Sequence, residues 1–440
     1  LPVIPDKLAV LDPLQCIFVL FERKHPMKAT GGIGRYQGAA LLATTLLGTG
    51  VFILPQVSLQ QAGGAAIGIW LVLTLLAVPI TVIFGALAGA IPNAAGPAHF
   101  VGEAFGAVAG RVMGLLFLLV VPVGGSAALL MTWSFIEPWF GAQYQLTGQL
   151  LFLGVLFALN RVGFQLSARL QLGLTLAIVA VVVLLLGAFF WQGAPLTAPG
   201  LELPAWSGIS AALALGFWSF LGVEAMTHLA QDFRDPARDM VPALLIGLLL
   251  VGLIYLGCSA LLWALAAPGE SLTMAQAFDR LCGGYGQWVI GILGLCSGLA
   301  TVNVYTASVA RLTWSFSQQG VLPAWFQPLN RHQVPERALY LIIGLMAAVI
   351  LGSSPFPQQL EALIGWVNGV FAVIYLASML AALKLLPSRY RATAIVSALL
   401  CLGLMLTLGT LLWYAVAIML LTTPLLWWQQ HRQQRSLRLN

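Results

Sequence analysis

Charge is scarce in this chain of 440 residues: Asp, Glu, Lys and Arg make up 8% of it, against 60% hydrophobic residues. Soluble domains carry about 25% charged residues, so a water-soluble fold is excluded. Cysteine is also scarce. The five cysteines, at 16, 258, 282, 296 and 401, show no C-x-x-C spacing, so neither a disulfide framework nor a zinc site is expected. The five histidines are scattered, and no G-x-x-x-x-G-K or G-x-S-x-G pattern occurs. The chain therefore lacks an ATPase or hydrolase signature, and no cofactor is expected. Alternation of apolar and polar residues is missing as well: Leu176 to Phe190 and Ala243 to Leu265 are apolar on every face, which excludes a transmembrane barrel.

What remains is long apolar runs. A membrane helix needs about 20 apolar residues to cross a core about 30 Å thick, and most of the chain divides into segments of that length. The expected architecture is an all-α membrane protein with about 12 transmembrane helices, at roughly 36–60, 66–91, 111–136, 147–160, 169–191, 208–229, 241–266, 284–309, 338–352, 361–383, 392–408 and 410–428. Residues 1–26 contain only the short apolar run Ile17 to Phe21, read as an extension upstream of a start at Met27. A core over 27–390 and a segment 391–440, holding the last two helices and a basic tail, complete the division.

Charge sets the expected orientation, because Lys and Arg collect in cytoplasmic loops. With the N-terminus inside, Arg35, Arg111, Arg161, Arg169, Arg234, Arg238, Arg311, Arg331, Arg337, Lys384, Arg389, Arg391 and the basic tail fall on one face, with Arg280 the exception. Both termini are then cytoplasmic in a bacterial inner membrane. The formal charge of +6 becomes a topological signal, and nucleic-acid binding need not be invoked.

Two crossings contain breaks. The first reads Leu47-Gly48-Thr49-Gly50-Val51-Phe52-Ile53-Leu54-Pro55, where Gly and Pro weaken the helix at mid-membrane depth. Such a break exposes backbone N–H groups that can hold a carboxylate, although a close-packing kink fits equally. The sixth reads Phe217-Trp218-Ser219-Phe220-Leu221-Gly222-Val223-Glu224-Ala225. A carboxylate at that depth costs about 2.5–3.5 kcal/mol on insertion scales, so Glu224 is a candidate proton carrier or a brace for the broken backbone. Trp218 and Phe220 could close over a substrate or simply pack. Thr44, Thr45, His228, Asn303 and Asn368 are the other polar groups within crossings. Most are expected to bond helix to helix, with Asn303 deep enough to reach a central site. Pro122 to Ser126 reads as a kink with close helix contact rather than a substrate wall. Asp235 is expected to cap a short helix opened by Pro236, with neighbouring charges pairing across the cytoplasmic mouth. Thr313 to Pro335 reads as an interfacial connector.

Three motifs in order, Leu47 to Pro55, Phe217 to Glu224 with Asp235 to Pro242, and Arg311 to Pro335 with Gln319-Gly320-Val321-Leu322-Pro323, resemble the amino acid, polyamine and organocation (APC) transporter superfamily. Ala43 to Phe52, Gly96-Pro97-Ala98-His99-Phe100-Val101-Gly102 and Val120 to Gly124 are most similar to its family of bacterial L-methionine and branched-chain amino acid exporters. The resemblance implies a five-plus-five inverted-repeat core with broken helices 1 and 6, the repeats covering about 36–191 and 208–386. It also implies substrate contacts from Thr45, Gly48, Thr49, Gly50, Trp218, Ser219, Phe220, Gly222 and Asn303, and a gating or proton-coupling role for Glu224. The fifth crossing lacks a lysine that some proton-coupled relatives carry. The implied function is secondary active export of methionine, leucine, isoleucine and valine, by proton antiport. Alternatives are an uptake permease and a cationic amino acid or polyamine exchanger. A channel or intramembrane enzyme would need a pore motif or clustered catalytic groups, and neither is visible. The implied partners are the amino acid substrate and the bilayer, with protons and a second copy of the chain left open.

Overall fold

A helix buries its own backbone polar groups, so runs without charge can cross lipid as helices and pack through whichever faces fit. The computed structural model describes residues 32–163, 168–193, 205–267, 269–356 and 359–439. The expected start at Met27 and the extension before it lie outside them, as does the side chain of Arg169. Among the described residues ten helical stretches are long and apolar enough to cross a membrane. The last of these, Ser388–His431, holds two helices, Arg391–Leu408 and Trp413–Leu439. The first crossing adds one more as two pieces, Arg35–Leu47 and Leu54–Ala62, each too short to be among those ten. The total is the expected twelve.

The intervening crossings are Ala65–Ala90 (second), Ala107–Ser134 (third), Gln145–Arg161 (fourth) and Ala168–Gln192 (fifth). The sixth is again in two pieces, Trp206–Trp218 and Val223–Thr227. Then come Pro236–Leu265 (seventh), Gly286–Gln318 (eighth), Glu336–Ser353 (ninth) and Gln359–Leu385 (tenth). Leu71, Leu75, Val183, Leu184, Leu253, Leu406 and Leu420 are exposed on these helices, as lipid-facing residues should be.

Two expectations need correction. The eighth crossing does not stop near residue 309 but continues to Gln318. The first residues of the supposed connector are therefore helix, and Phe316 is buried in the space that Gly114 leaves on the third crossing. Asp235 caps no short helix. Its Oδ1 accepts the Arg238 N–H at 3.2 Å and opens the whole 30-residue seventh crossing. The exceptional Arg280 also has a reason to stand where it does. Its guanidinium donates to Leu265 O at 2.7 Å, closing the end of the seventh crossing, and pairs with Glu270.

The packing repeats itself when the first five crossings are exchanged for the next five. The first crossing lies on the seventh and fifth, and the sixth lies on the second and tenth. The third packs on the eighth, fourth, ninth and tenth, and the eighth packs on the third, ninth, fourth and fifth. The two broken helices therefore occupy equivalent positions, facing one another across the middle of the bundle.

Candidate functional site

The first crossing unwinds between Leu47 and Leu54. Within that turn the Val51 N–H reaches Leu47 O at 3.2 Å and the Leu54 N–H reaches Gly50 O at 2.8 Å. The N–H groups of Thr49 and Gly50 make no hydrogen bond among the described residues. Unwinding also releases carbonyls, and neighbouring helices recover them. Ser297 of the eighth crossing donates to Gly48 O at 2.7 Å, and Tyr255 of the seventh lies 3.4 Å from Leu46 O. Tyr255 is held in place by stacking on Trp70, with centroids 4.4 Å apart and planes within 6°, while the Trp70 indole N–H donates to Ser58. The opening of the turn is thus built from four helices.

The sixth crossing breaks over residues 219–222, where the N–H groups of Ser219, Phe220 and Leu221 reach back three residues instead of four. Gly222 has φ +127°, a conformation that L side chains rarely adopt. A Cβ at Gly222 would stand 2.9 Å from Thr45 Cγ2 and 3.1 Å from Leu46 Cδ2, so the two breaks touch through this glycine. Its N–H donates to Glu224 Oε2 at 2.9 Å, and the Tyr375 hydroxyl of the tenth crossing donates to the same oxygen. Glu224 is fully buried, and its Oε1 has no hydrogen-bond partner among the described residues. The carboxyl group therefore braces the break and ties it to the tenth crossing.

Between the broken helices and the third, seventh, eighth and tenth crossings lies a cavity of about 640 Å³, its open side included. Thr45, Leu46, Thr49 and Gly50 form one wall, and Trp218, Leu221 and Tyr255 form the next. Val120, Val121, Gly124, Gly125 and Ala128 of the third crossing, Thr301, Val302 and Tyr305 of the eighth, and Val367 and Phe371 of the tenth complete it. No Asp, Glu, Lys, Arg or His is among the lining residues. The polar groups of these residues are hydroxyls, the Trp218 indole N–H and the main chain of the unwound turn, where the Thr49 and Gly50 N–H groups make no hydrogen bond among the described residues.

Sequence comparison bears on what such a cavity holds. The profile of the amino acid permease family matches residues 33–435. The chain belongs to the amino acid permease family. It is 38% identical over 400 residues to the L-methionine/branched-chain amino acid exporter YjeH of Escherichia coli (strain K12), covering 88% of this chain and 94% of that protein. It is also 28% identical over 364 residues to the uncharacterized amino acid permease YecA of Bacillus subtilis (strain 168), covering 80% of this chain and 85% of that one. A more distant relative, the human Asc-type amino acid transporter 1, is 24% identical over 385 residues, covering 82% of this chain and 72% of that protein.

In this permease the residues expected at the site divide into two groups. Thr45, Thr49, Gly50 and Trp218 line the cavity. Gly48, Ser219, Phe220, Gly222, Glu224 and Asn303 do not, for separate reasons. A Cβ at Gly48 would stand 2.5 Å from Thr301 Oγ1, so that glycine lets the eighth crossing close in behind the turn. Ser219 is buried, and Phe220 packs toward Trp70, with centroids 6.4 Å apart. Gly222 and Glu224 form the brace. Asn303 turns to the fourth crossing, where its Oδ1 accepts from Asn160 Nδ2 at 2.7 Å. The expected helix-to-helix bonding holds for Thr44, which accepts from Thr175 at 2.6 Å, and for Asn368, which donates to Ala214 O at 2.6 Å. Thr45 instead bonds within its own helix, to Leu41 O at 2.9 Å. His228 Nδ1 donates to Ala94 O at 2.7 Å, joining the sixth crossing to the loop after the second.

The third crossing plays a double part: the expected close helix contact holds at Gly125, where a Cβ would stand 2.6 Å from Met346 Cε of the ninth crossing, and Gly124 and Gly125 also lie on the cavity wall. Tyr255, Thr301, Tyr305 and Phe371 carried no distinguishing local signal. Each is one polar or aromatic residue within an apolar helix, placed by packing between helices distant in sequence.

Beyond the cavity, the two broken helices are joined at one end of the bundle. The Ile33 N–H donates to Asp232 O at 2.8 Å, and the Arg234 N–H donates to Ile33 O at 3.0 Å. Arg234 Nε reaches Gly32 O at 2.6 Å, and Arg35 pairs with Asp239 at 3.2 Å. The expected pairing of charges at this mouth is thus made by Arg35 and Asp239, reinforced by main chain.

Proposed function

We propose that this permease is a secondary transporter that exports neutral, apolar amino acids, with methionine, leucine, isoleucine and valine as the substrate class. The observation that carries this reading is the uncharged cavity wall beside the free N–H groups of Thr49 and Gly50. A carboxylate can bind at those donors, and an apolar side chain fits walls of Val, Leu, Gly and Phe. A second amino or guanidino group would find no anion there and would lose its hydration uncompensated. That argues against a cationic amino acid or polyamine exchanger, because Glu224, its best support, stands outside the lining and is occupied by Gly222 and Tyr375. The similarity to an L-methionine/branched-chain amino acid exporter supports the same substrates and direction.

Residues 36–191 and 208–386 are assigned as the two inverted repeats, which agrees with the exchange symmetry of the packing. The distribution of Lys and Arg supports an orientation with both termini in the cytoplasm of a bacterial inner membrane. The joined ends of the broken helices then face the cytoplasm. Glu224 is assigned the coupling proton. Its Oε1, without a partner among the described residues, can gain or lose a proton without breaking either bond at Oε2.

Intracellular retention of methionine, leucine and lysine in dipeptide-fed cells lacking their own exporters tests the reading. Lower retention of methionine and leucine, with lysine unchanged, is the expected result. Accumulation from the external medium would replace export by uptake, and a change in lysine alone would refute the neutral-substrate assignment.

A further inference from the structure

We propose that Gly124 sets the side-chain length this permease accepts, by leaving open the space that receives the far end of an unbranched or γ-branched side chain. The proposal rests on the cavity being the substrate site and adds which wall measures the substrate.

Gly124 lies within the continuous helix Ala107–Ser134 and has no positive φ, so its backbone does not require glycine. Packing does not require it either. A Cβ there would stand 3.6 Å from Trp218 Cη2 and 3.6 Å from Val367 Cγ2, both ordinary van der Waals distances. Its neighbour behaves differently. A Cβ at Gly125 would fall 2.6 Å from Met346 Cε, so a methyl there would have to push aside the end of the Met346 side chain on the ninth crossing. Glycine is a poor residue for a helix interior, and at Gly124 neither the conformation nor a neighbour explains it. What the missing side chain leaves is free cavity between Trp218 and Val367.

The position relative to the carboxylate donors completes the argument. Thr49 and Gly50 line the cavity from the first crossing and Gly124 lines it from the third, and those two crossings are not packed on one another. An amino acid held by its carboxylate at Thr49 and Gly50 can therefore extend its side chain across the cavity to Gly124. A short side chain ends before that wall, whereas methionine or leucine extends into the gap.

Gly124→Ala fills the gap without displacing another atom. Purified wild-type and Gly124→Ala protein in proteoliposomes are compared for transport of methionine, leucine and alanine, with thermal stability measured in parallel. One methyl group in an apolar pocket discriminates by roughly tenfold or more, so the ratio of methionine to alanine transport should fall by roughly tenfold, and that of leucine to alanine likewise. The melting temperature should not fall. An unchanged ratio, or equal loss of all three substrates, overturns the assignment of Gly124. A lower melting temperature overturns the claim that the space is open. If the wild-type protein moves none of the three, the reading of the cavity fails along with this one.

Discussion

Adding a single methyl at Gly222 tests how the two breaks are coupled. Gly222→Ala meets two obstacles that can be separated. The first is the backbone: at φ +127° a residue with a Cβ is strained by about 1–3 kcal/mol. The second is steric, since the new Cβ would lie 2.9 Å from Thr45 Cγ2, and overpacking of this kind costs about 1–3 kcal/mol. Together they predict a loss of roughly 2–6 kcal/mol. Thr45→Ser removes Cγ2 while keeping the hydroxyl that bonds Leu41 O, so it relieves the steric part and leaves the backbone part. Leu46 Cδ2, at 3.1 Å, is present in both backgrounds. The four proteins of this double-mutant cycle, unfolded by denaturant titration in detergent, should show a coupling of about 1–3 kcal/mol between positions 45 and 222. Additive effects, with coupling below about 0.5 kcal/mol, would refute the claim that the breaks touch through Gly222. A Gly222→Ala protein as stable as wild type would refute the positive φ as well.

Four further expectations concern the carboxylates. Glu224→Gln preserves the shape of the brace and should flatten the pH dependence of transport with substrate binding still measurable; an unaltered pH profile reduces Glu224 to a structural role. Tyr375→Phe removes one of two bonds at Glu224 Oε2, should cost about 1–3 kcal/mol of stability, and should displace the midpoint of the pH–rate curve, which would stay put if another group titrates. Asp239→Asn breaks an ion pair whose arginine is exposed and whose aspartate is half-buried, worth about 1 kcal/mol, so transport should change by less than about fivefold, and a much larger loss would mean that this pair alone closes that end of the bundle. Glu270, in the loop after the seventh crossing, is held below the usual carboxylate range first by the Ala267 N–H and then by Arg280. A depressed carboxyl stabilises the fold above its unfolded value and loses that contribution as pH falls through its folded value. Glu270→Gln should therefore lower the melting temperature at neutral pH, and the difference should vanish below the carboxylate range; a gap that persists in acid would contradict the assignment.

The twelve crossings and both breaks were legible because their signals are local. Gly48, Gly50 and Pro55 weaken one helix, and Gly222 with Glu224 marks the other. The identity of the cavity wall was not legible, for a physical reason. A helix that is apolar all round has no periodicity to tell a lipid-facing side from a cavity-facing one. Val120, Gly124 and Val367 therefore looked like their lipid-exposed neighbours. The partner of Glu224 was hidden differently: Tyr375 lies 151 residues away, and only the packing of the tenth crossing against the sixth brings them together. The eighth crossing was cut short because Arg311 and the polar residues after it looked like a loop, although a helix can extend past the membrane face with such residues.

The clasp between Ile33 and Asp232 to Arg234 has a consequence for evolution and for engineering. A lock written in peptide groups cannot be read by substitution: replacing side chains there leaves its main-chain donors and acceptors in place, so drift in sequence detunes it only slightly. Two such bonds are worth about 1–3 kcal/mol together. The ends of the two broken helices are thus secured by chemistry common to all residues except one. Proline at position 33 or 234, which has no N–H to give, would remove a bond of the clasp that other substitutions leave in place.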